Sequence, residues 1–249
     1  MMNVVQNEVK KMRQDWDERA RENAQYFVCT DVPLDKETFL ASGREDYRLH
    51  VQEFLERVQF SPTGKTALEI GCGLGRMTRC FAGDFQSVIA VDISGDMIAR
   101  ASAEGIPCTQ FFVGSGLDLR SVQASSVDLV FSYIVFQHIS RLEVILKYFE
   151  EIGRVLRQGG RFRIHTNGLP HVEIGPLLLE GYISKSPKLR PLGLKSLPFV
   201  RRRRLSSWLG HPVSTAELRK VCGANGLRIE EVTGRWTEQQ WVSGRKIAS

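Results

Sequence analysis

Three glycines at alternating positions, placed between an apolar run and a helical pattern, constrain the fold of this chain most. The run Ala67–Ile70 leads into Gly71, Gly73 and Gly75 in the stretch Ala-Leu-Glu-Ile-Gly-Cys-Gly-Leu-Gly. Glycine adopts positive φ without strain and lets the main chain approach a ligand closely. The stretch therefore predicts a strand that enters a tight turn and continues into a helix.

A second strand, Ser87–Asp92, is predicted to end in a carboxylate 21 residues after Gly71. From there a carboxylate accepts hydrogen bonds from both ribose hydroxyls of a nucleoside held over the glycine turn. Glu69, two residues before the first glycine, would repel a dinucleotide's pyrophosphate by about 1 to 4 kcal/mol at ~4 Å. The glycine spacing also differs from the G-x-G-x-x-G of dinucleotide-binding proteins. The pattern favours a nucleoside that carries an ammonium group and no phosphate, and it disfavours NAD.

With this E-x-G-x-G-x-G stretch and the acid at Asp92, the chain resembles the class I S-adenosylmethionine-dependent methyltransferases over residues 65–168. The resemblance implies that S-adenosylmethionine binds at the glycine turn and leaves as S-adenosylhomocysteine, with no metal. It implies that Glu69, Gly71 and Gly73 hold the methionine moiety and that Asp92 holds the ribose. The cofactor-binding residues it predicts are Glu69, Gly71, Cys72, Gly73, Gly75, Asp92, Ile93, Met97, Ser115, Gly116, Leu117, Ser132 and Tyr133.

The adenine end of the predicted site depends on the loops after the second and third strands. Ile93 and Met97 are expected to flank the ring with apolar surface. Many family members carry Asp or Asn where this chain has Ser115, and serine offers one hydrogen bond in their place; an ordinary polar loop residue is the alternative. Cys72 is interpreted as a small residue that packs inside the turn.

Strands and helices alternate from Lys65 to Gly168, which predicts an α/β fold with a parallel sheet and helices on both faces. The strands of this part end at one edge of the sheet, where ligands bind. A capping box at Ser214 and Glu217 predicts a later helix, followed by two closing strands. By resemblance the last strand is antiparallel, which gives a Rossmann-like, seven-stranded, mostly parallel sheet.

Two amphipathic helices are predicted before the first strand, one over residues 5–27 and one that follows Ser42-Gly43 and stops near Ser61-Pro62. By resemblance, such helices often cover the cofactor mouth. Tyr26 and Tyr47 would line that lid, although packing within the fold is the favoured interpretation of both rings. Farther along, Gly83 is expected to end the helix after the glycine turn. A turn is likewise expected at Gln158–Gly160, before a fifth strand.

The predicted domain organisation is an N-terminal helical extension, 1–62, and a methyltransferase domain, 63–249. Residues 169–212 form an insertion that is expected to shape acceptor specificity. The net charge of +6 comes from this insertion, because residues 181–212 hold eight basic residues and no acid, and the rest of the chain holds 26 basic and 28 acidic residues. Apolar side chains beside Arg201–Arg204 suit an amphiphilic or anionic acceptor; a solvated basic run is the alternative.

Catalysis of methyl transfer requires alignment and exclusion of water, and it requires a base only where the acceptor is protonated. His138, after the fourth strand, and His165, at the end of the fifth, are the candidate general bases. For His138 the favoured alternative is a structural role that fixes the loop. Asn167 reaches the same edge, and the weaker candidates that open the insertion are His171 and Glu173.

The chain is thus predicted to methylate a small molecule, with oxygen acceptors preferred over nitrogen or carbon. The fourth strand is followed by neither an Asn/Asp-Pro-Pro-Tyr/Phe motif nor a Pro-Cys dipeptide, which disfavours methylation of nucleic-acid bases. One basic cluster without interleaved aromatic residues also makes nucleic acid an unexpected partner. An RNA- or protein-modifying methyltransferase that uses the basic insertion, and a non-catalytic cofactor-binding protein, are the alternatives.

Composition and cysteine usage indicate the cellular environment to expect for this chain. It is 42% hydrophobic and 25% charged, as in globular proteins, and no apolar run approaches the ~18 to 20 residues of a membrane span. The N-terminus lacks the apolar core of a secretory signal. Five cysteines without a C-x-x-C pair predict neither a metal centre nor disulfides. A cytoplasmic location is expected, and the oligomeric state is not predicted.

Overall fold

The computed structural model describes residues 2–29, 35–168 and 210–248, and a seven-stranded sheet of order β3-β2-β1-β4-β5-β7-β6 lies at their centre. β7 is antiparallel to both neighbours, and the remaining pairs are parallel. The strands are β1 (Thr66–Ile70), β2 (Ser87–Asp92), β3 (Thr109–Val113), β4 (Val127–Ser132), β5 (Leu156–Thr166), β6 (Leu227–Thr233) and β7 (Gln240–Lys246). The predicted α/β fold with a mostly parallel sheet is confirmed.

Helices cover both faces of this sheet. The helices are α1 (Met2–Val28), α2 (Lys36–Tyr47), α3 (Glu53–Arg57), α4 (Thr78–Asp84), α5 (Gly95–Ala103), α6 (Leu142–Val155) and α7 (Thr215–Ala224). A π turn, Arg48–Gln52, joins α2 to α3, and a 3-10 turn, Phe136–His138, follows β4. α6 and α7 share one apolar core with the sheet, whereas α2, α3 and α4 share a second core. The central strand β4 is buried along its whole length, as expected between two covered faces.

Side chains set several of the helix starts. Ser94 Oγ accepts the N–H three residues ahead at 3.2 Å and caps α5. Ser214 and Glu217 form the predicted capping box before α7. α1 bends at Asn23, which has extended φ and ψ, and the Asn23 side chain accepts an N–H that starts the helix again. These local interactions explain why the corresponding boundaries are legible in the sequence.

Several predicted boundaries are wrong. The second helix begins at Lys36 and not after Gly43, because the Asp35 side chain accepts the Thr38 N–H at 2.8 Å and caps the helix there. α4 runs through Gly83 to Asp84, because the following N–H still bonds back to the carbonyl of Phe81 and completes the last turn. Gln158–Gly160 lies inside β5, which begins at Leu156. The preference of glycine for a turn still shows there as an irregularity in the strand: Gly159 has a φ of +74°, and the register with β4 shifts between the pairs Val127–Leu156 and Leu129–Arg161.

α2 approaches the glycine turn closely at Gly43. A Cβ on Gly43 would lie 2.6 Å from the carbonyl oxygen of Arg76. The Arg76 side chain reaches back to α2, where it pairs with Asp46 at 2.6 Å and donates to Ser42 Oγ at 3.4 Å. The segment before the first strand is therefore fixed on the glycine turn by backbone contact and by a buried ion pair.

Within the described ranges, no helix combines the length and apolar character needed to cross a membrane. The same residues contain no group of three or more His, Cys, Asp or Glu that could hold a metal ion. The cysteines are free thiols, and Cys72 and Cys222 are buried.

The close contact at Gly43 predicts a stability difference between two helical glycines. Gly43→Ala should lower the free energy of unfolding by about 1 to 3 kcal/mol, because the new methyl group overlaps a fixed carbonyl. Gly83→Ala is the matched control: nothing lies within 4 Å of the point where its Cβ would stand, so helix propensity should raise stability by about 0.5 to 1 kcal/mol. Urea unfolding of both variants measures the difference, and equal stabilities would contradict the close packing of α2.

Candidate functional site

The glycine turn lies at the carboxyl ends of β1 and β2. Gly71, Gly73 and Gly75 all have positive φ, between +52° and +80°. A Cβ on Gly71 would overlap the side chain of Val135, in the loop after β4. The Gly71 N–H donates to the carbonyl of Val91 at 2.6 Å. The turn is thus closed against both neighbouring strands, which explains why glycine is needed there.

Asp92 is held by the backbone on both sides of its carboxylate. Its Oδ2 accepts the N–H of Gly73 at 2.9 Å, and its Oδ1 accepts the N–H of Ser94 at 2.9 Å. Burial raises the pKa of Asp92, and these two hydrogen bonds oppose the rise. The carboxylate is therefore fixed in orientation beside the glycine turn.

Glu69, at the end of β1, is a second buried carboxyl group. Thr78 Oγ1 donates to Glu69 Oε2 at 2.6 Å. Burial raises the Glu69 pKa to about 7, although the Thr78 hydrogen bond and the charge of Arg76 act in the opposite direction. The proton on Glu69 is consequently exchangeable near neutral pH.

A cavity of about 1020 Å³, counted out to its opening, joins these groups. It brings together nine of the predicted site residues, including both carboxyl groups and one candidate base: Glu69, Gly71, Cys72, Gly73, Asp92, Ile93, Met97, Tyr133 and His138. Tyr133 lines the cavity without filling it, and Phe136 is buried in the core against Tyr148 and Phe149.

Six predicted site residues do not line this cavity: Gly75, Ser115, Gly116, Leu117, Ser132 and His165. Ser115 Oγ donates to Asp118 Oδ1 at 2.8 Å and accepts two backbone N–H groups of its own loop. Ser132 Oγ donates to the carbonyl of Ile70 at 2.8 Å and ties β4 to β1. Gly114, one residue before Ser115, is the position of this loop that lines the cavity.

α1 covers the cavity from above the sheet edge. Arg13 donates to the carbonyl of Gly114 at 2.8 Å, and Asp17 accepts from Ser94 Oγ at 2.6 Å. Trp16 packs edge-on against His138, with ring centroids 5.4 Å apart. The helix thereby contacts the loops after β2, β3 and β4. Sequence periodicity predicted this helix, but which of its faces meets the cavity depends on tertiary contacts.

The two tyrosines considered for a lid occupy different positions. Tyr47 is buried against Phe81 and donates its hydroxyl to Asp84 at 2.8 Å, which is a packing role. Tyr26 is 46% exposed and packs on Phe27. The cavity is lined instead by other α1 side chains, namely Met12, Trp16, Phe27 and Val28.

Arg76 is a cavity residue that sequence reasoning missed. It is buried, lines the same cavity as Glu69 and is held by Asp46 through the ion pair described above. Its position, one residue after the third glycine, was visible in the sequence. Its partner on α2 was not, because the pair joins segments 30 residues apart.

Next to the cavity lies a ring cluster made of His50, Tyr133, His165 and Trp241. Tyr133 and Trp241 are stacked, with centroids 5.4 Å apart and an interplanar angle of 13°. His165 is fully buried, meets Gln239 Oε1 through Nε2 at 2.9 Å and has its pKa lowered to about 4 by burial. The candidate base His165 is therefore neutral at pH 7 and lies behind Tyr133.

Several sequence predictions fall outside the described residues. They concern His171, Glu173, Arg201–Arg204 and most of the insertion 169–212. The described residues on either side of it are bound at the same edge of the sheet. Gly168 donates to the carbonyl of Thr237, and Gly210 donates to that of Gln137.

Comparisons with known proteins agree with this geometry. Residues 68–164 match the family model described as a methyltransferase domain. A ubiquinone biosynthesis O-methyltransferase of Xanthomonas axonopodis pv. citri is 24% identical over 196 residues, which cover 77% of this chain and 74% of that protein. A probable S-adenosylmethionine-dependent methyltransferase of Saccharomyces cerevisiae is 32% identical over 105 residues, 40% of this chain and 35% of that protein.

Among solved structures, magnesium protoporphyrin IX methyltransferase from Synechocystis, with bound S-adenosylhomocysteine, superposes with a TM-score of 0.62 at 16% identity. The match covers 96% of this chain and 99% of that one. It supports the fold, while the family match supports the activity. The glycine turn, the acid at the end of β2 and the sheet order 3-2-1-4-5-7-6 are thus explained together: residues 68–164 belong to a methyltransferase domain of the class I S-adenosylmethionine-dependent type.

Proposed function

We propose that this protein transfers the methyl group of S-adenosylmethionine to an oxygen atom of a small molecule. The observation that carries the proposal is the roofed cavity at the sheet edge, in which two buried carboxyl groups, a buried guanidinium and a ring cluster meet. Such an enclosed space suits a small acceptor better than a duplex or a folded protein. The relative from Xanthomonas, whose name is that of an O-methyltransferase, supports oxygen as the acceptor atom.

The residues present fit the cofactor by charge. S-adenosylmethionine supplies an activated methyl group on a sulfonium and presents an ammonium group, a carboxylate and a ribose. Asp92, already oriented by Gly73 and Ser94, is proposed to accept the ribose hydroxyls. Glu69 is proposed to face the ammonium group and Arg76 the carboxylate, since both line the cavity beside the glycine turn.

The adenine is proposed to lie toward Ile93, Met97 and Gly114, at the other end of the same cavity. Ser115 would then act indirectly, because its hydroxyl shapes the loop that presents Gly114. α1, which bonds to this loop through Arg13, is proposed to exclude water from the bound cofactor. In this proposal residues 1–62 complete the site of the domain 63–249.

The insertion 169–212 is proposed to contribute to acceptor selection. Its described flanks support this role: Gly168 is bonded to the β6–β7 turn, and Gly210 is bonded beside His138, which lines the cavity. The intervening chain therefore leaves and returns at the edge where an acceptor would enter. Its eight basic residues favour an acceptor with negative charge or an anionic group.

Asp92→Asn is expected to weaken binding of S-adenosylhomocysteine about 10- to 150-fold, because charge-assisted hydrogen bonds to the ribose are lost. The asparagine keeps an acceptor for one of the two backbone N–H groups, so the turn should persist. Asp84→Asn is the matched control, since Asp84 bonds to Tyr47 and does not line the cavity. Calorimetric titration measures both, and unchanged affinity in Asp92→Asn would remove Asp92 from the ribose site.

The raised pKa of Glu69 predicts pH-dependent cofactor binding. Below pH 7 the neutral form dominates, and pairing with an ammonium group requires loss of that proton. Affinity for S-adenosylhomocysteine should therefore fall by up to about tenfold per pH unit from pH 7 to 5.5. Because the pKa lies above its usual value of 4.5, the same proton stabilises the unliganded fold at low pH, and this stabilisation is lost as pH rises through 7.

The matched variant for this pH dependence is Glu69→Gln, which keeps the Thr78 hydrogen bond and cannot ionise. Its affinity should be weaker above pH 7 and should vary less between pH 7 and 5.5 than that of the wild type. A wild-type affinity for S-adenosylhomocysteine that does not change between pH 7 and 5.5 would contradict the proposed pairing of Glu69 with the ammonium group.

Methyl transfer itself is tested with labelled S-adenosylmethionine and a panel of phenols, carboxylic acids, amines and activated carbon acceptors. Incorporation into hydroxyl acceptors, and insensitivity of the rate to added RNA, are the expected results. Preferential labelling of amines, of carbon acceptors or of RNA would overturn the oxygen assignment while leaving the cofactor site intact. Labelling of no acceptor, with normal S-adenosylhomocysteine affinity, would favour a non-catalytic binding protein.

A further inference from the structure

The π turn between α2 and α3 places His50 beside the site. In Arg48–Gln52 the backbone bonds from residue i to i+5, as the Glu53 N–H does to the carbonyl of Arg48. An ion pair of the same spacing, Arg48–Glu53 at 2.8 Å, spans the turn on the solvent side. π turns are rare and occur frequently at functional sites, because the extra residue redirects one side chain. His50 is the middle residue of this one.

His50 contacts the rings that border the cavity. Its centroid lies 4.6 Å from that of Tyr133 and 4.8 Å from that of Trp241. Tyr133 is itself a lining residue of the cavity that holds Glu69 and Arg76. Unlike His165, which is fully buried, both His50 and Tyr133 keep part of their surface exposed. Of the two imidazoles in the ring cluster, His50 is therefore the one open to solvent, and it adjoins the cavity through its contact with Tyr133.

The imidazole of His50 is suited to accept a proton. Burial lowers its pKa from the usual 6.5, so the ring is neutral at pH 7. Asp46 and Glu53 on its own helical segment favour the protonated form, whereas Arg163 and Arg76 oppose it. The His50 ring contacts the rings of Tyr133 and Trp241, and within the part of the chain that the structure describes its nitrogens make no hydrogen bond.

Two buried guanidiniums set the electrostatics of the ring cluster. The Arg163 guanidinium carbon lies 4.5 Å from the centroid of the Trp241 ring, and two of its nitrogens, Nε and Nη1, have no hydrogen-bond partner among the described residues. Arg76 lines the adjoining cavity. A cationic acceptor is disfavoured here, because the π surface that would attract it already faces a cation. Both guanidiniums have a carboxylate partner, Arg76 with Asp46 at 2.6 Å and Arg163 with Glu231 at 3.7 Å, which offsets part of their positive charge.

We propose that His50 and Tyr133 form the acceptor subsite, that it binds a planar phenolic molecule, and that His50 is the general base. This inference rests on the proposed oxygen methyltransferase function and specifies its substrate class. Tyr133 offers the aromatic surface on which a phenol packs. The phenol O–H proton moves to an imidazole nitrogen of His50, and the electron pair of that bond stays on oxygen as the nucleophile. The imidazolium then returns the proton to solvent through its exposed side.

A phenol needs such a base more than other oxygen acceptors do. Its hydroxyl, like that of tyrosine, ionises near pH 10, so about one molecule in a thousand is ionised at pH 7. A carboxylic acid is already ionised at that pH and requires no base. An alcohol is so weakly acidic that an imidazole cannot remove its proton in advance. The phenolic class therefore matches a neutral histidine beside an aromatic surface.

Binding is tested without turnover by NMR of protein labelled at the histidine ring carbons, saturated with S-adenosylhomocysteine. Addition of 4-methylcatechol should shift the resonance of His50, which is assigned by its absence in His50→Gln. If saturating 4-methylcatechol leaves the His50 resonance in place, the acceptor subsite is refuted. Failure of S-adenosylhomocysteine to bind would instead refute the proposed function.

The role as base is tested by pH–rate profiles with 4-methylcatechol. His50→Gln should reduce kcat at pH 7 about 10²-fold or more, and its rate should then rise about tenfold per pH unit toward the ionisation of the catechol itself. The wild-type rate should reach its plateau at a lower pH than the rate of His50→Gln does. Leu49→Ala, in the same π turn, is the matched control and should keep the wild-type rate and profile.

A merely structural role for His50 would lower the rate equally at every pH and leave the shape of the profile unchanged. That result would overturn its assignment as base, as would a His50→Gln variant with the wild-type rate. Wild-type protein that methylates amines or carbon acceptors, but no catechol, would overturn the phenolic class. Unchanged S-adenosylhomocysteine affinity in His50→Gln separates each of these results from damage to the cofactor site.

Discussion

The hydrogen bond from the Gly73 N–H to Asp92 is the interaction on which the rest of the site depends. It joins the turn after β1 to the end of β2 at 2.9 Å, so the carboxylate is fixed before any ligand arrives. The same constraint explains the glycines, since the turn must fold back against β2 with positive φ and without side chains. A site built on adjacent strand ends in this way has little freedom left to lose when a nucleoside binds.

The N-terminal segment is part of this site and not an appendage of the domain. α2 contacts the backbone of the glycine turn at Gly43 and supplies Asp46 to the buried guanidinium of Arg76. α1 then bonds to the loops that follow β2 and β3 through Asp17 and Arg13. A buried cation such as Arg76 is tolerated only when it is paired, so the helix that carries Asp46 also determines whether the cavity wall is stable.

Local chemistry explains which features were predictable from the sequence. The glycine turn, the acid at Asp92 and the cap at Ser94 involve residues close in sequence or a known strand–turn–helix pattern, and the structure contains all three. Arg76 was missed because its partner, Asp46, lies on another element. Ser115 failed to reach the cavity for the opposite reason: a serine beside free loop N–H groups satisfies them first.

Charge divides the site into two regions with different chemistry. Glu69 and Asp92 make the glycine-turn end acidic, which suits a ligand with an ammonium group and a positive sulfur. Arg163 lies over the Trp241 ring, 4.5 Å from its centroid, whereas Arg76 lines the cavity beside the glycine turn. Transfer of a methyl group from a sulfonium cation to an anion removes the charge of both reactants. In a cavity with little water, loss of their solvation opposes this step less than it would in bulk solvent. The two acids at the glycine turn therefore suit a cationic cofactor, and the proposed transfer to an oxygen anion would remove the charge of both reactants.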